Sequence, residues 1–398
     1  MKKMPKLAID GGNPVRTTLL NYGRQWLDED DIQAVVEILH GDWLTMGPTV
    51  DKFEKAVAGF VGAKYGIAVN SGTAALHVAA YAAGIGPGDE VIVPPMTFAA
   101  SSNCVLYLGG TPVFADILPS SMNLDPADVE RKITKRTKAI VAVDYTGQPC
   151  DYDLIRAIAK RHNLIVIEDA AHSLGATYHG RKVGMLNELT TFSFHPVKHI
   201  TTGEGGMAVT DNHDLALRMR NFRSHGIDLD FRQRTKERPW FYQMVELGYN
   251  YRLPDVGCAL GLSQLKKMDK FLARRREIAA YYNEVFSGIP ELTIPEVIPD
   301  CEPAWHLYVI RLNLELLKVS RAEIFSALRA EGLGINVHYI PVPWHPYYQN
   351  LGYKKGQWPV TEREYERIIS LPMFPKMNDQ DMSDAIEAVK KVIGAYRK

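Results

Sequence analysis

The middle of the chain alternates short β-branched runs with helical patterns, and this alternation limits the folds open to it. The segments "EVIVPPMTF", "KAIVAVDYTG" and "LIVIEDAAHS" predict apolar strands. Helical patterns separate them, among them "LDPADVERKIT", which has an aspartate cap and a proline at the first helical position. Near-continuous apolar strands joined by helices are typical of parallel strands buried on both faces. The sequence therefore predicts an α/β domain with a large, mostly parallel sheet.

The pattern changes after about residue 250. Residues 254–286, "PDVGCALGLSQLKKMDKFLARRREIAAYYNEVF", predict one long helix, and "AWHLYVIRL" and "INVHYIP" predict strands. "SRAEIFSALRAEG" has the capping box of a helix start and ends on a glycine. We therefore expect an N-terminal arm over residues 1–30, a large α/β domain over 31–250 and a smaller C-terminal α+β domain over 251–398.

Composition excludes several classes of protein. Lys plus Arg equals Asp plus Glu, 46 each, which argues against a general nucleic-acid or membrane-surface binder. No apolar run approaches the roughly 18 to 20 residues that span a bilayer, and the basic N-terminus has no apolar segment behind it. The four cysteines are far apart, without a CxxC pair. We expect a cytoplasmic protein without a disulfide framework or a metal site.

One candidate anion site follows a short strand in "AVNSGTAALHVAAYAAGIG". Ser71, Gly72 and Thr73 begin a helix of small residues. The free N–H groups and the dipole of a helix start favour an anion such as a phosphate. The alternative is an ordinary helix cap with tight packing.

Two further segments carry ionisable side chains. Asp169 follows the apolar strand "LIVIE", at the strand end where doubly wound sheets bind ligands, although it could simply cap the next helix. His172 comes three residues later and could be a core histidine. Lys198, in "TFSFHPVKHITTGEGGMAVT", is either a surface-loop lysine or a buried amine that forms a Schiff base.

These three segments together fit the requirements of pyridoxal 5′-phosphate (PLP). A helix N-terminus binds its phosphate, a carboxylate keeps its pyridine nitrogen protonated, and a lysine holds its aldehyde. Each signal is weak alone, but their combination predicts a PLP enzyme.

The chain also resembles the sugar aminotransferases of the DegT/StrS family, which have the fold type I, aspartate aminotransferase-like architecture. The resemblance covers nearly the whole chain. It rests on the segments "WLTMGPTVDKFEKAVAGFVGAKYGIAVNSGTAALHVA", "GDEVIVPPMTFAASSN", "TKAIVAVDYTGQPCD", "VIEDAAHSLGA", "FSFHPVKHITTGEGGMAVT", "FRSHGI", "LGYNYRLPDVGCALGLSQLKK" and "AWHLYVIRL".

The resemblance implies roles for individual residues. Lys198 is the Schiff-base lysine and Asp169 pairs with the pyridine nitrogen. The other implied cofactor contacts are His172 near the phenolic oxygen, Phe98 on the ring face, and Gly72, Thr73 and Ser193 at the phosphate. The family's dimer implies that Asn250, in "GYNYR", reaches the phosphate of the other subunit. His225 and His338 are candidate substrate contacts, or a turn histidine and a polar strand residue, respectively.

The implied reaction is transamination of a nucleotide-linked keto-sugar with L-glutamate as amino donor, because relatives with histidine at the Lys198 position are dehydratases. The look of the C-terminal motifs favours a UDP-4-keto-6-deoxy-hexose and a 4-amino product, for surface polysaccharide or nonulosonic acid biosynthesis. A dTDP-3-keto-sugar is the second candidate, and a catalytically silent PLP-fold sensor is a third. Six aromatics could stack on a nucleotide or sugar, or form core: Trp305, Tyr308, Tyr339, Trp344, Tyr347 and Tyr348.

Overall fold

A computed structural model describes residues 6–229 and 238–398. Its α-helices are α1 (Glu29–Leu39), α2 (Pro48–Val61), α3 (Gly72–Ala82), α4 (Ala100–Leu106), α5 (Pro126–Lys132), α6 (Tyr152–His162), α7 (His213–Arg223), α8 (Asp255–Leu265), α9 (Met268–Phe286), α10 (Arg321–Ala330), α11 (Pro346–Asn350), α12 (Pro359–Tyr365) and α13 (Asp379–Tyr396). Its strands are β1 (Leu20–Asn21), β2 (Tyr65–Val69), β3 (Glu90–Val93), β4 (Thr111–Phe114), β5 (Thr137–Val143), β6 (Ile165–Asp169), β7 (Thr177–Tyr178), β8 (Arg181–Lys182), β9 (Leu189–Ser193), β10 (Gly206–Thr210), β11 (Leu292–Thr293), β12 (Cys301–Glu302), β13 (Tyr308–Leu312), β14 (Leu333–Gly334) and β15 (Ile368–Leu371).

The main sheet has seven strands in the order β2-β10-β9-β6-β5-β3-β4. Only β10 runs antiparallel to its neighbours, β2 and β9. Successive residues of a strand enter different cores: Ile140 packs in one hydrophobic cluster, and Val141 packs in another on the opposite face. Both faces are therefore covered by helices, which explains the continuous apolar runs in the sequence.

A separate hydrophobic core lies in the C-terminal part, between β13, β15, α9, α10 and α13. Leu7 and Leu20 of the N-terminal segment pack in this core, and β1 pairs with β14. The division of the chain at residues 30 and 250 stays a prediction, and residues 1–5 of the expected arm lie outside the described residues.

Two predictions of secondary structure were wrong. The single helix over residues 254–286 is two helices, α8 and α9. α8 packs on α1 and α2, and α9 packs in the C-terminal core from Ile278 onward. At the break, Lys267 forms an ion pair with Asp31 at 2.9 Å. The expected strand "INVHYIP" is irregular after β14. The Asn336 side chain accepts a hydrogen bond from the Val337 backbone N–H at 2.8 Å, and this N–H would otherwise be available to pair with a neighbouring strand.

Other local predictions are confirmed. Asp125 caps α5 and Pro126 begins it. Ser320 and Glu323 form the capping box of α10, and Gly332 follows the helix at φ +93°. Among the described residues, every helix is too short or too polar to cross a membrane.

Candidate active site

A cavity of about 780 Å³ opens at the carboxyl ends of the parallel strands. Its size is within the usual range for a small-molecule site. Most of the residues predicted from the sequence line it: Gly72, Thr73, Phe98, Asp169, His172, Ser193, Lys198 and His338. Their functional roles stay predictions, but the fold brings these eight side chains or backbones to one place.

The start of α3 forms one end of the cavity. Ser71 is the N-cap, and its Oγ accepts a hydrogen bond from the Ala74 N–H at 3.0 Å. The N–H groups of Gly72 and Thr73 precede the first intrahelical bonds, so they can bind an anion. A Cβ at Gly72 would lie 2.8 Å from the Cβ of Ser193. Glycine is therefore needed here for the close approach of β9, which also brings the Ser193 hydroxyl to the helix start.

Asp169 ends β6 at the other end of the cavity and is 5% exposed. Its Oδ2 accepts a hydrogen bond from Ser101 Oγ at 2.6 Å, and Oδ1 accepts one from the Ala171 N–H at 3.2 Å. Burial raises the pKa of Asp169 despite these two donors and the positive charge of Lys198. A cation beside this carboxylate would be strongly stabilised. Ser101 was not predicted, because nothing in its local sequence connects it to Asp169.

Lys198 lies in the turn after β9, where its backbone N–H donates to His195 O at 2.9 Å. The pKa of Lys198 is lowered to about 8: desolvation in the cavity is the main cause, Asp169 opposes it, and the charge of Arg275 adds to it. A lysine with this pKa is partly free base near neutral pH, which is the nucleophilic form.

Histidines surround the Lys198 amine. His306 Nε2 lies 3.5 Å from Lys198 Nζ, and its ring centroid is 4.3 Å from that of His172. Burial lowers the pKa of His172, His199 and His306 well below the usual value, so these rings are neutral. His306 was missed from the sequence, although it lies in the motif "AWHLYVIRL".

His172 Nε2 lies 3.1 Å from the hydroxyl of Tyr339. Its Nδ1 is buried without a hydrogen-bond partner among the described residues, so it is free to meet a polar atom of a ligand. Phe98 is 62% exposed although it is a large aromatic, because its ring faces the cavity. This side chain offers a flat apolar surface for a ring.

His338 lines the cavity from the C-terminal part. Its Nδ1 lies 2.8 Å from Ser370 Oγ, and burial lowers the pKa of the ring to about 4. Asn250 and His225 do not line the cavity of their own chain. Both are exposed and lie on adjacent backbone segments, since the His225 N–H donates to Tyr249 O at 2.9 Å.

The six candidate aromatic contacts lie in different environments. Trp305, Tyr308 and Tyr348 are buried in hydrophobic clusters, and Tyr339 lines the cavity. Trp344 packs edge-on against Tyr365, and Tyr347 is 64% exposed. Core packing therefore accounts for three of the six.

The residues present fit PLP. The cavity has anion donors at the start of α3, a buried carboxylate at the end of β6, and an amine of lowered pKa. The unpartnered His172 Nδ1 and the exposed Phe98 ring add a polar contact and a stacking surface. Within residues 6–229 and 238–398, no cluster of side chains has the make-up of a metal site.

Comparison with known proteins gives the same picture. The chain matches the model of the DegT/DnrJ/EryC1/StrS aminotransferase family over residues 25–390. The spore coat polysaccharide biosynthesis protein SpsC of Bacillus subtilis is 44% identical over 381 residues, which cover 95% of this chain and 98% of SpsC.

Solved structures agree. PseC of Helicobacter pylori, an aminotransferase involved in the biosynthesis of pseudoaminic acid, has a TM-score of 0.89 at 33% identity, over 95% of this chain and 100% of PseC. Spr1654 of Streptococcus pneumoniae, described as a sugar aminotransferase, has a TM-score of 0.87 in its PLP form at 31% identity, over 95% of this chain and 99% of its own. These matches confirm the predicted fold class and cofactor. The chain belongs to the DegT/DnrJ/EryC1/StrS aminotransferase family and is a PLP-dependent sugar aminotransferase.

Proposed function

We propose that this enzyme transfers the amino group of L-glutamate to the 4-keto group of a UDP-linked 6-deoxy-hexose. The observation that carries the amino-transfer chemistry is the Lys198 amine, whose pKa is lowered to about 8 between the start of α3 and Asp169. The names of SpsC and PseC, which refer to polysaccharide and pseudoaminic acid biosynthesis, support a role in surface polysaccharide or nonulosonic acid biosynthesis.

The residues of the cavity have different roles in the proposed reaction. Bound PLP supplies an aldehyde that carries the amino group and a ring that accepts an electron pair. Lys198 Nζ, as free base, would move a proton from the donor Cα to the C4′ carbon of the cofactor. Asp169 remains ionised beside a positive ring nitrogen and keeps that nitrogen protonated. The α3 start, with Gly72 and Thr73, holds the phosphate.

The buried histidines around Lys198 are neutral. His172, His199, His306 and His338 all have lowered pKa values because they are buried. They therefore add no positive charge beside Lys198 at neutral pH. We propose that the unpartnered His172 Nδ1 would contact the cofactor's phenolic oxygen and that Phe98 would cover one face of the ring.

The substrate is tested by a mass-spectrometric screen. UDP- and dTDP-linked 3-keto and 4-keto sugars are incubated with the enzyme and 15N-labelled glutamate. We expect the label in a UDP-4-amino-6-deoxy-hexose, together with 2-oxoglutarate. Omission of glutamate is the control. Label found only in a dTDP-3-amino sugar would favour the second candidate, and no labelled sugar in any reaction would contradict the proposed substrate class.

We also propose a homodimer with shared active sites. The segment from Trp240 to Leu247 exposes large apolar side chains: Trp240 is 70% exposed, Met244 67% and Leu247 77%. Several exposed large apolar side chains in one segment are typical of a subunit interface. A second copy of the chain would bury it.

The backbone around Asn250 supports a contact with the other subunit. Tyr249 and Tyr251 stack on each other with ring centroids 5.0 Å apart, and both rings lie against His77 of α3. Asn250 lies between them in sequence and is exposed. We propose that the exposed Asn250 side chain reaches the phosphate in the partner's cavity.

Mixing two inactive variants tests this arrangement. Lys198→Ala and Asn250→Ala proteins should each be strongly impaired, and Asn250→Ala must be checked first. A random mixture should regain about a quarter of wild-type activity, because half of the dimers are hybrids with one intact site. Differently tagged chains report subunit exchange. Exchange without recovered activity would place Asn250 in the site of its own chain.

A further inference from the structure

The segment 304–306, here called the crossing segment, runs between β12 and β13 beneath Lys198. The Ala304 N–H donates to Gly147 O at 2.9 Å, and His199 Nε2 lies 3.0 Å from Ala304 O. A Cβ at Gly147 would lie 2.9 Å from the backbone N of His306, so the two backbones touch. This packing brings His306 Nε2 to 3.5 Å from Lys198 Nζ.

Arg275 of α9 holds the crossing segment from the other side. Its side chain is 0% exposed, and one guanidinium nitrogen, Nη1, lies 3.1 Å from each of the carbonyl oxygens of Trp305, His306 and Met373. The Met373 N–H in turn donates to Tyr22 O at 2.9 Å, and Tyr22 lines the cavity. One buried nitrogen therefore connects two segments of the cavity wall.

The charge of Arg275 has no counter-ion among the described residues. Within the same part of the chain, its Nε and Nη2 are buried without a hydrogen-bond partner. Burial lowers the pKa of the guanidinium to about 9, which leaves it largely charged at neutral pH. A buried, unpaired cation is costly for stability, so stability alone does not explain this residue.

Several groups face the Lys198 amine. Asp169 raises the pKa of Lys198 and Arg275 lowers it. Burial lowers the pKa of His172, His199, His306 and His338. The titratable side chains around the amine are Tyr22, Asp169, His172, His195, Glu204, His306, His338 and Tyr339 in the cavity wall, with His199 and Arg275 behind it. Arg275 is largely charged at neutral pH.

We propose that Arg275 is a positioning residue for Lys198: it fixes the crossing segment that brings His306 to the amine, and its unpaired charge favours the free-base form of that amine. The proposal rests on the proposed role of Lys198. His306 accepts a hydrogen bond from the amine when the amine is free. Arg275 itself touches neither substrate nor cofactor.

Three substitutions separate the two contributions. Arg275→Lys keeps three donors for the three carbonyls, and a positive charge at pH values below the pKa of its own buried amine. Arg275→Gln keeps amide donors without the charge, and Arg275→Met has neither. The matched control is Arg276→Gln, which removes the charge of the next residue of α9, a partly exposed arginine 3.3 Å from Glu302.

The measurement uses cofactor-free protein. Trace labelling with acetic anhydride across a pH series, followed by mass spectrometry of the peptide carrying Lys198, gives the pH at which half of the amine is free base. We expect the wild type, Arg275→Lys and Arg276→Gln to share one midpoint. Arg275→Gln and Arg275→Met should have a higher midpoint, and labelling at neutral pH falls about tenfold when the midpoint rises by about one pH unit. Tm should fall most in Arg275→Met.

Other outcomes overturn the proposal. If Arg275→Gln has the wild-type midpoint, the charge of Arg275 does not affect the pKa of Lys198. A midpoint in Arg275→Lys as high as in Arg275→Gln would show that three donors at this position are not sufficient, and would contradict the role given to the carbonyl contacts. If Arg275→Met does not fold, the midpoints of Arg275→Lys and Arg275→Gln still test the proposal. The labelling needs neither cofactor nor sugar, and attachment of the cofactor to Lys198 is tested separately in the wild type, so failure of this proposal is distinct from failure of the proposed reaction.

Discussion

Lys198→Ala protein should lose roughly three orders of magnitude or more of its transamination rate, because the nucleophilic amine that also moves the proton is gone. The visible absorption of the lysine-bound cofactor should disappear as well. Turnover with glutamate and a keto-sugar, and the absorbance of the purified protein, measure the two effects.

Two controls accompany this variant. Lys160→Ala removes an exposed lysine of α6 and should retain wild-type turnover and colour. Borohydride treatment of the wild type should fix the cofactor covalently on the peptide that contains Lys198. A stable adduct on a peptide without Lys198 would show that another lysine carries the cofactor.

Asp169→Asn should reduce kcat/KM by roughly three orders of magnitude while part of the cofactor stays bound. Burial raises the pKa of Asp169 when no cation lies beside it, so a protonated ring nitrogen is the partner that keeps this carboxylate ionised. Asparagine keeps the shape but supplies no charge. Steady-state kinetics and the cofactor content after dialysis are the two readouts.

Ser101→Ala is the matched control for Asp169→Asn. It removes one hydrogen bond to Asp169 Oδ2 but leaves the charge, so its loss of rate should be much smaller. Turnover of Asp169→Asn within a few-fold of wild type would contradict the proposed role of the carboxylate.

Local patterns in the sequence were sufficient for the large domain. The β-branched runs predicted β3, β5 and β6, since strands buried on both faces must be apolar throughout. Aspartate followed by proline predicted the start of α5, and a serine–glutamate capping box predicted that of α10. These signals succeed because caps and strand patterns depend on residues a few positions apart.

The failures lie where tertiary packing overrides a local pattern. The helical periodicity of residues 254–286 continues through Lys266 and Lys267, yet the helix breaks there, where Lys267 pairs with Asp31 of α1. Segment 335–341 alternates like a strand, but the Asn336 side chain takes a backbone N–H of that segment.

By itself the sequence determined the α/β class, the helix start at Ser71, the acid at the end of β6 and a lysine after β9. It also carried the motifs that confirmed the family and, with it, the cofactor. Only the tertiary structure decided which distant side chains join them. Ser101 and Asp169 are 68 positions apart, and Lys198 and His306 are 108 apart. Arg275 of α9 donates a hydrogen bond to the backbone carbonyl of His306. Such contacts depend on how sheet, helices and C-terminal core pack together, and burial there also determines the pKa of Lys198, which no local stretch of sequence encodes.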